Sequence, residues 1–351
     1  MNVEELAKKL ILDLVSEYTP PGHEYKLAPI IRGWADELGY DEFYTDEVGN
    51  IFLRYGSHGR TILLASHLDT VPGKVDVKVV QDTVYGRGVI DAKGPLTAFI
   101  VGAALDRSRM SNCKVYVGGL VREEDDGLGA KYLVEKDFRS DHIIIGEPTN
   151  LGIAIAYRGS ILIKVSANAI GGHSSAPYIG SSALDKLIEF INIVKSRFNG
   201  ESFDEVSCAF TMLKAGDWPS SLPREGEAYA NIRYPPKYSS DNIIEEIKDI
   251  AQKVGVGLEF LSVEKPVEVS VNTEVVRALV RGVLRLNLKP RIVKKTGTSD
   301  MNTLAVISKS IAAFGPGDSR LAHTDYEKIK IGDIVTASNV VSNALMELSR
   351  L

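Results

Sequence analysis

A chain of 351 residues, 44% of them hydrophobic, has room for about two domains at a prior of roughly 150 residues each and enough apolar content for a true core. Its 41 Lys and Arg against 46 Asp and Glu leave a net charge of −5, which argues against a nucleic-acid partner because general nucleic-acid binding leaves a basic footprint. The thiols of Cys113 and Cys208 are too few for a disulfide framework or a thiolate zinc site.

Leu6, Leu10, Ile11, Leu14 and Val15 share one face of a first predicted helix, which Pro20-Pro21-Gly22 stops. Lys8 and Lys9 lie inside that amphipathic pattern, so the chain does not open as a secretory leader. A second helix is predicted at about 24–38, with β-rich runs at 50–54 and 61–66. The small-residue helix at about 95–105 is the longest mostly apolar stretch, far short of the roughly 20 residues that cross a bilayer. A strand at 114–120, a helix near 128–134 and a buried-type strand at 142–146 follow. The last third adds a helix at 274–287, a strand at 310–314 and a closing helix from about 333. Strands alternating with helices predict an α/β fold around a mixed sheet, mostly parallel at its centre. The expected location is the cytoplasm, with no membrane partner.

The middle of the chain reads differently. A strand at 160–167 is followed by a helix at 182–196 and strands at 206–213 and 227–234, then a helix at 241–254 and a strand at 258–263. The order β-α-β-β-α-β is a complete ferredoxin-like unit. It reads as an insertion at 159–266 that splits the other domain into 1–158 and 267–351.

Acids and histidines fall at the ends of the predicted strands. His67 and Asp69 follow the apolar run 62–65, and Asp91 closes the glycine-rich run 85–91. Glu123 and Glu124 follow the strand at 114–120, Glu147 follows the one at 142–146, and His323 lies in the loop after 310–314. An open α/β sheet binds ligands outside the carboxyl ends of its strands. Two imidazoles with several carboxylates suit zinc, cobalt or manganese. Adjacent acids such as Glu123-Glu124 repel in a cleft unless a cation or proton compensates. No G-x-S-x-G elbow occurs, which disfavours serine hydrolysis. His23, His58 and His142 have no such neighbours and read as surface or structural residues.

The motifs His67-Leu68-Asp69-Thr70-Val71-Pro72, Gly86-Arg87-Gly88 with Asp91-Ala92-Lys93-Gly94, Glu123-Glu124, Gly146-Glu147-Pro148 and Ala322-His323 resemble the di-zinc aminoacylase, desuccinylase and carboxypeptidase family, in the same order along the whole chain. The resemblance implies one metal on His67 and Glu147, a second on Glu124 and His323, and Asp91 bridging the two. The metals would be zinc, with cobalt as the other candidate. Asp69 would orient His67, and Glu123 would be the general base and acid. The inserted domain would dimerise, with His173 reaching the opposite subunit's site to stabilise the oxyanion. Arg158, Arg233 and the turn Gly297-Thr298-Ser299 look like contacts to a substrate carboxylate.

Within that family, the stretches 65–73, 147–149 with 157–160, 296–302 and 314–324 are similar to the archaeal-type carrier-protein lysine/ornithine hydrolases. That likeness implies release of lysine or ornithine from the terminal glutamate of a small acidic amino-group carrier protein. A small-molecule deacylase, acting on acetylornithine or succinyl-diaminopimelate, and a dipeptidase or carboxypeptidase would share the same ligand motifs. Asp125 and Asp126 lie near the site in sequence, where a substrate amine would be read. Arg277, Arg281, Arg285, Lys289, Arg291, Lys294 and Lys295 form a basic stretch without acids. The three arginines recur every four residues, along one helix face, as expected of a docking stripe for an acidic protein.

Overall fold

Asn2 opens the first helix, Val3–Ser16, with a reciprocal capping box: its side chain accepts the Glu5 N–H at 2.8 Å, and the Glu5 carboxylate accepts the Asn2 N–H at 3.1 Å. The apolar face predicted for this helix is buried at Leu10, Ile11, Leu14 and Val15. The computed structural model describes residues 2–107 and 112–350. They divide into two units, each with its own apolar core. One comprises Met1–Ala156, Val269–Val293 and Ser299–Leu351; the other comprises Tyr157–Glu268 and the short segment Lys294–Thr298.

In the first unit the strands lie in the order Glu42–Thr45, Ile51–Tyr55, Cys113–Leu120, Arg60–His67, His142–Gly146, Ile311–Ala313 and Ile153–Tyr157. From Cys113–Leu120 to Ile311–Ala313 the neighbours are parallel, and antiparallel strands flank them. Parallel strands are covered on both faces and so read as continuous apolar runs, as His142–Gly146 does. The helix Lys93–Leu105 is buried on every side up to Ala103 and packs with Ile331–Leu348 and Val3–Ser16. A small antiparallel sheet of Lys78–Val80, Thr83–Tyr85 and Lys328–Lys330 escaped the sequence reading. Lys78, Tyr85 and Lys328 face one another across it, and all of Lys78–Val80 is exposed, so hydropathy gave no signal.

The second unit is an antiparallel sheet in the order Ser207–Ala215, Glu225–Tyr234, Gly159–Asn168 and Gly257–Glu264. Helices Ala183–Arg197 and Ser240–Val254 pack together in this unit. The β-α-β-β-α-β order is as predicted. No helix among the described residues is long and apolar enough to cross a membrane.

The basic stretch is less free than its sequence suggests. Arg281 and Arg285 both pair with Glu347 on the closing helix Ile331–Leu348, Arg281 at 2.9 Å. Lys294 pairs with Glu268 at 2.7 Å, and Arg291 donates to the Asn150 carbonyl. The arginine stripe is therefore largely a clamp on the C-terminal helix. Arg277 and Lys289 remain exposed, with no ion pair among the described residues.

Candidate metal centre

The parallel register sets the site. His67 ends its strand level with Leu120, and Ser66 is level with Gly146. The chain therefore leaves three neighbouring strands at one edge, carrying His67, Glu123-Glu124 and Glu147.

His67 is 1% exposed. Its Nδ1–H donates to the Asp69 carbonyl at 3.0 Å, with the Asp69 carboxylate at 3.5 Å, and its Nε2 faces Asp91 Oδ1 at 3.1 Å. The fully buried Asp69 carboxylate accepts the N–H of Glu123 at 3.1 Å and of Glu124 at 3.0 Å. Asp69 thus fixes the imidazole mainly through its carbonyl, and its carboxylate fixes the turn that carries the paired acids. Arg122, just before that turn, has φ 58, and its N–H donates to the buried Glu24 carboxylate at 3.0 Å.

Asp91 has one oxygen toward each histidine: Oδ1 toward His67 and Oδ2 toward His323 Nε2 at 3.3 Å. His323 Nε2 also lies 3.0 Å from Glu124 Oε1. Ligand atoms of His67, Glu123 and Glu124 lie within 4.8 Å of one another, as do those of Asp91, Glu124 and His323. Glu147, 8% exposed, stands outside both groups and adjoins them through its charge, which acts on Glu123.

The clustered carboxylates set up a strongly negative field. Burial, reinforced by the charges of Glu147, Asp300 and Glu124, holds the Glu123 carboxyl well above its ordinary range against the opposing pull of His67. Burial lowers His67, but hydrogen bonds with Asp69 and Asp91 outweigh it and raise the imidazole well above 6.5. Hydrogen bonds to Asp91 and Glu124 lift His323 to about 10. Burial would raise Asp91, yet its bonds from His323 and His67 hold it far below 3.8. Positive charge is thus favoured where two imidazoles share one carboxylate. That donor chemistry fits a divalent cation of the zinc, cobalt or manganese class.

Other expected site residues lie in the second unit or at its edge. His173 is exposed on the short strand Gly172–His173, and its Nδ1 accepts the Ser175 N–H at 3.1 Å. Arg158 is engaged inside the second unit. It is 4% exposed, and its Nη2 donates to the Glu205 and Arg233 carbonyls, both at 2.6 Å, and to Ser207 Oγ at 2.8 Å. One nitrogen of that guanidinium thus ties strand ends together. Arg233 is half-buried and donates to Thr298 Oγ1 at 3.0 Å, while the Gly297 carbonyl accepts the Arg158 N–H. Ser299 caps the helix Asp300–Leu304, its Oγ accepting the Met301 N–H at 3.2 Å. Asp125 and Asp126 both pair with Arg122, at 2.7 and 2.9 Å. The sequence reading missed Asp300, 4% exposed, whose charge acts on Glu123. It also gave no role to Arg87 or Glu327, a buried pair at 2.9 Å.

The model of peptidase family M20/M25/M40 matches residues 63–347. A chain of Aeropyrum pernix is 41% identical over 346 residues, 98% of this chain and 96% of its own. The LysW-lysine/LysW-ornithine hydrolase of Saccharolobus islandicus is 38% identical over 349 residues, 99% of this chain and 97% of its own. The M20 family metallo-carboxypeptidase of Sulfolobus solfataricus shares the fold at a TM-score of 0.81 and 18% identity, with 100% of each chain covered. A family match spanning all the strand-end acids and both site histidines leaves one assignment: the chain belongs to peptidase family M20/M25/M40.

Proposed function

We propose that this chain is a two-metal amide hydrolase that releases lysine or ornithine from the terminal glutamate of a small acidic amino-group carrier protein. The substrate reading is carried by near-full-length similarity to proteins named LysW-lysine/LysW-ornithine hydrolase. His67, Asp91 and Glu147 would hold one cation, and Asp91, Glu124 and His323 the other. The opposed orientation of the two Asp91 oxygens supports a bridging role. Zinc or cobalt, when bound, supplies Lewis acidity to the scissile amide and lowers the pKa of water.

The remaining work falls to side chains. Glu123 takes a proton from the attacking water and returns it to the leaving amine nitrogen. Asp69 keeps His67 and the turn bearing Glu123 in register. Arg233 and Thr298, already joined at 3.0 Å, would receive a substrate carboxylate, with Gly297 and Ser299 shaping the turn between them. Arg158 would act behind Arg233 rather than on the substrate. The reading takes the enzyme as a cytoplasmic homodimer in which His173 stabilises the oxyanion in the opposite subunit's site.

The test compares carrier-linked lysine with acetylornithine, succinyl-diaminopimelate and dipeptides, using protein loaded with zinc or cobalt. A higher kcat/KM on carrier-lysine is expected. Faster turnover of acetylornithine or a dipeptide would move the assignment to a small-molecule deacylase or dipeptidase.

Docking of an acidic carrier has its own test. Arg277→Glu with Lys289→Glu should raise KM for the carrier-linked substrate and leave KM for small acyl substrates unchanged. An equal KM for both forms of the enzyme removes this surface from docking. Arg281→Glu with Arg285→Glu sets like charges against Glu347, so its expected effect is on stability. Exposed pairs contribute about 1 kcal/mol at most, hence a fall in Tm on the order of 2–4 °C, read by thermal denaturation.

A further inference from the structure

We propose that the buried Arg87–Glu327 pair positions His323, and so sets the affinity of the His323-side ligand group for a divalent cation with little effect on the His67 side. The inference rests on the two-metal reading above. Glu327 is 1% exposed and Arg87 6%. Every oxygen of the Glu327 carboxylate is committed to a segment that carries a ligand. Oε1 accepts the His323 N–H at 3.1 Å and Arg87 Nη1 at 2.9 Å, while Oε2 accepts the Gly88 N–H at 2.5 Å. Arg87 extends the tie, donating from Nε to the Gly73 carbonyl at 2.8 Å and from Nη1 to the Thr324 carbonyl at 3.0 Å. One ion pair therefore joins the loop after His67, the loop before Asp91 and the loop around His323.

His323 needs such a tie. Its φ is 63, a left-handed conformation unfavourable to a residue with a Cβ. Its side chain is 52% exposed, so packing does little to fix the ring. His67 differs on each count: it ends a buried strand, is 1% exposed and is clamped by the Asp69 carbonyl. Gly88, the third anchor, has φ +81, and a Cβ there would lie 2.5 Å from Thr70 Cγ2, so its loop has little freedom to compensate. The contacts of Glu327 reach the main chain of Gly88 and His323, whereas the clamp on the His67 ring comes from the Asp69 carbonyl.

The test titrates chelator-stripped protein with cobalt(II), following binding by equilibrium dialysis and visible absorption. Outer-shell substitutions typically cost 10–100-fold in metal affinity. Glu327→Gln should therefore weaken one of the two cations by about 10–100-fold and leave the other at the wild-type value. Because that variant strands a buried guanidinium, Arg87→Gln combined with Glu327→Gln, which removes both charges, should show the same selective loss in a folded protein. A merely structural pair would lower Tm without separating the two affinities. Equal weakening of both cations, or two unchanged affinities, overturns the inference while leaving the two-metal reading intact. Wild-type protein that binds fewer than two cations overturns both.

Discussion

Glu123→Gln should lower kcat by about 10²–10⁴-fold, the usual contribution of a positioned general acid–base, while bound metal and fold persist. The substitution keeps the shape of the side chain, and the residue's N–H still donates to Asp69, the bond that fixes the turn. An amide cannot accept the proton of water or return it to an amine. In the metal-free protein, burial and the neighbouring charges of Glu147, Asp300 and Glu124 raise the proton affinity of Glu123 well above that of an ordinary carboxyl, and bound cations would draw it back toward the range of a general base. Steady-state kinetics beside metal analysis and circular dichroism separate the outcomes. Turnover within about tenfold of wild type, far inside the general acid–base range, would remove Glu123 from the role. A parallel loss of metal would instead make it a ligand.

Which parts of this site could be read from the sequence follows from how far apart in the chain their partners lie. His67, Glu123, Glu124 and Glu147 could be grouped because parallel strands announce themselves as apolar runs whose carboxyl ends converge, whereas Asp91 and His323 lie in loops away from those strand ends and were grouped with them only by their motifs. Glu24 and Glu327 were not. Each acts on a backbone N–H far away in sequence, Glu24 on Arg122 and Glu327 on Gly88. An isolated Glu gives no sign that it is buried to satisfy a main-chain donor. Arginines pose the converse problem. Arg158 and Arg233 look alike in the sequence, yet one is spent on carbonyls inside the second unit and the other meets a hydroxyl. The pairing within the basic stretch was hidden for the same reason, since Glu347 lies 62 residues from Arg285. The order of elements in the inserted unit was readable because its strands alternate in burial, as Gly257–Glu264 does at every position.

Asp91→Asn should strip at least one cation from each chain and lower turnover by about 10²-fold or more, because Lewis-acid stabilisation is worth several kcal/mol and each 1.36 kcal/mol is a factor of ten. The neutral amide keeps one oxygen and loses the charge that both histidines face. A second consequence appears in metal-stripped protein as a function of pH. His323 is raised from 6.5 to about 10 by Asp91 and Glu124. A group whose folded pKa is raised adds stability that is fully present below its unfolded pKa and lost as pH rises through the folded one. The His323 contribution to the Tm of stripped wild-type protein should therefore fall between pH 6.5 and about 10, against an opposite contribution from buried Lys93, lowered from 10.5 to about 7. In Asp91→Asn the fall should be shallower, because one of the two acceptors facing His323 no longer carries charge. Metal analysis and thermal denaturation across that window check both parts. Full metal retention would deny Asp91 its bridging place, and an unchanged slope would show that Glu124 alone holds the His323 proton.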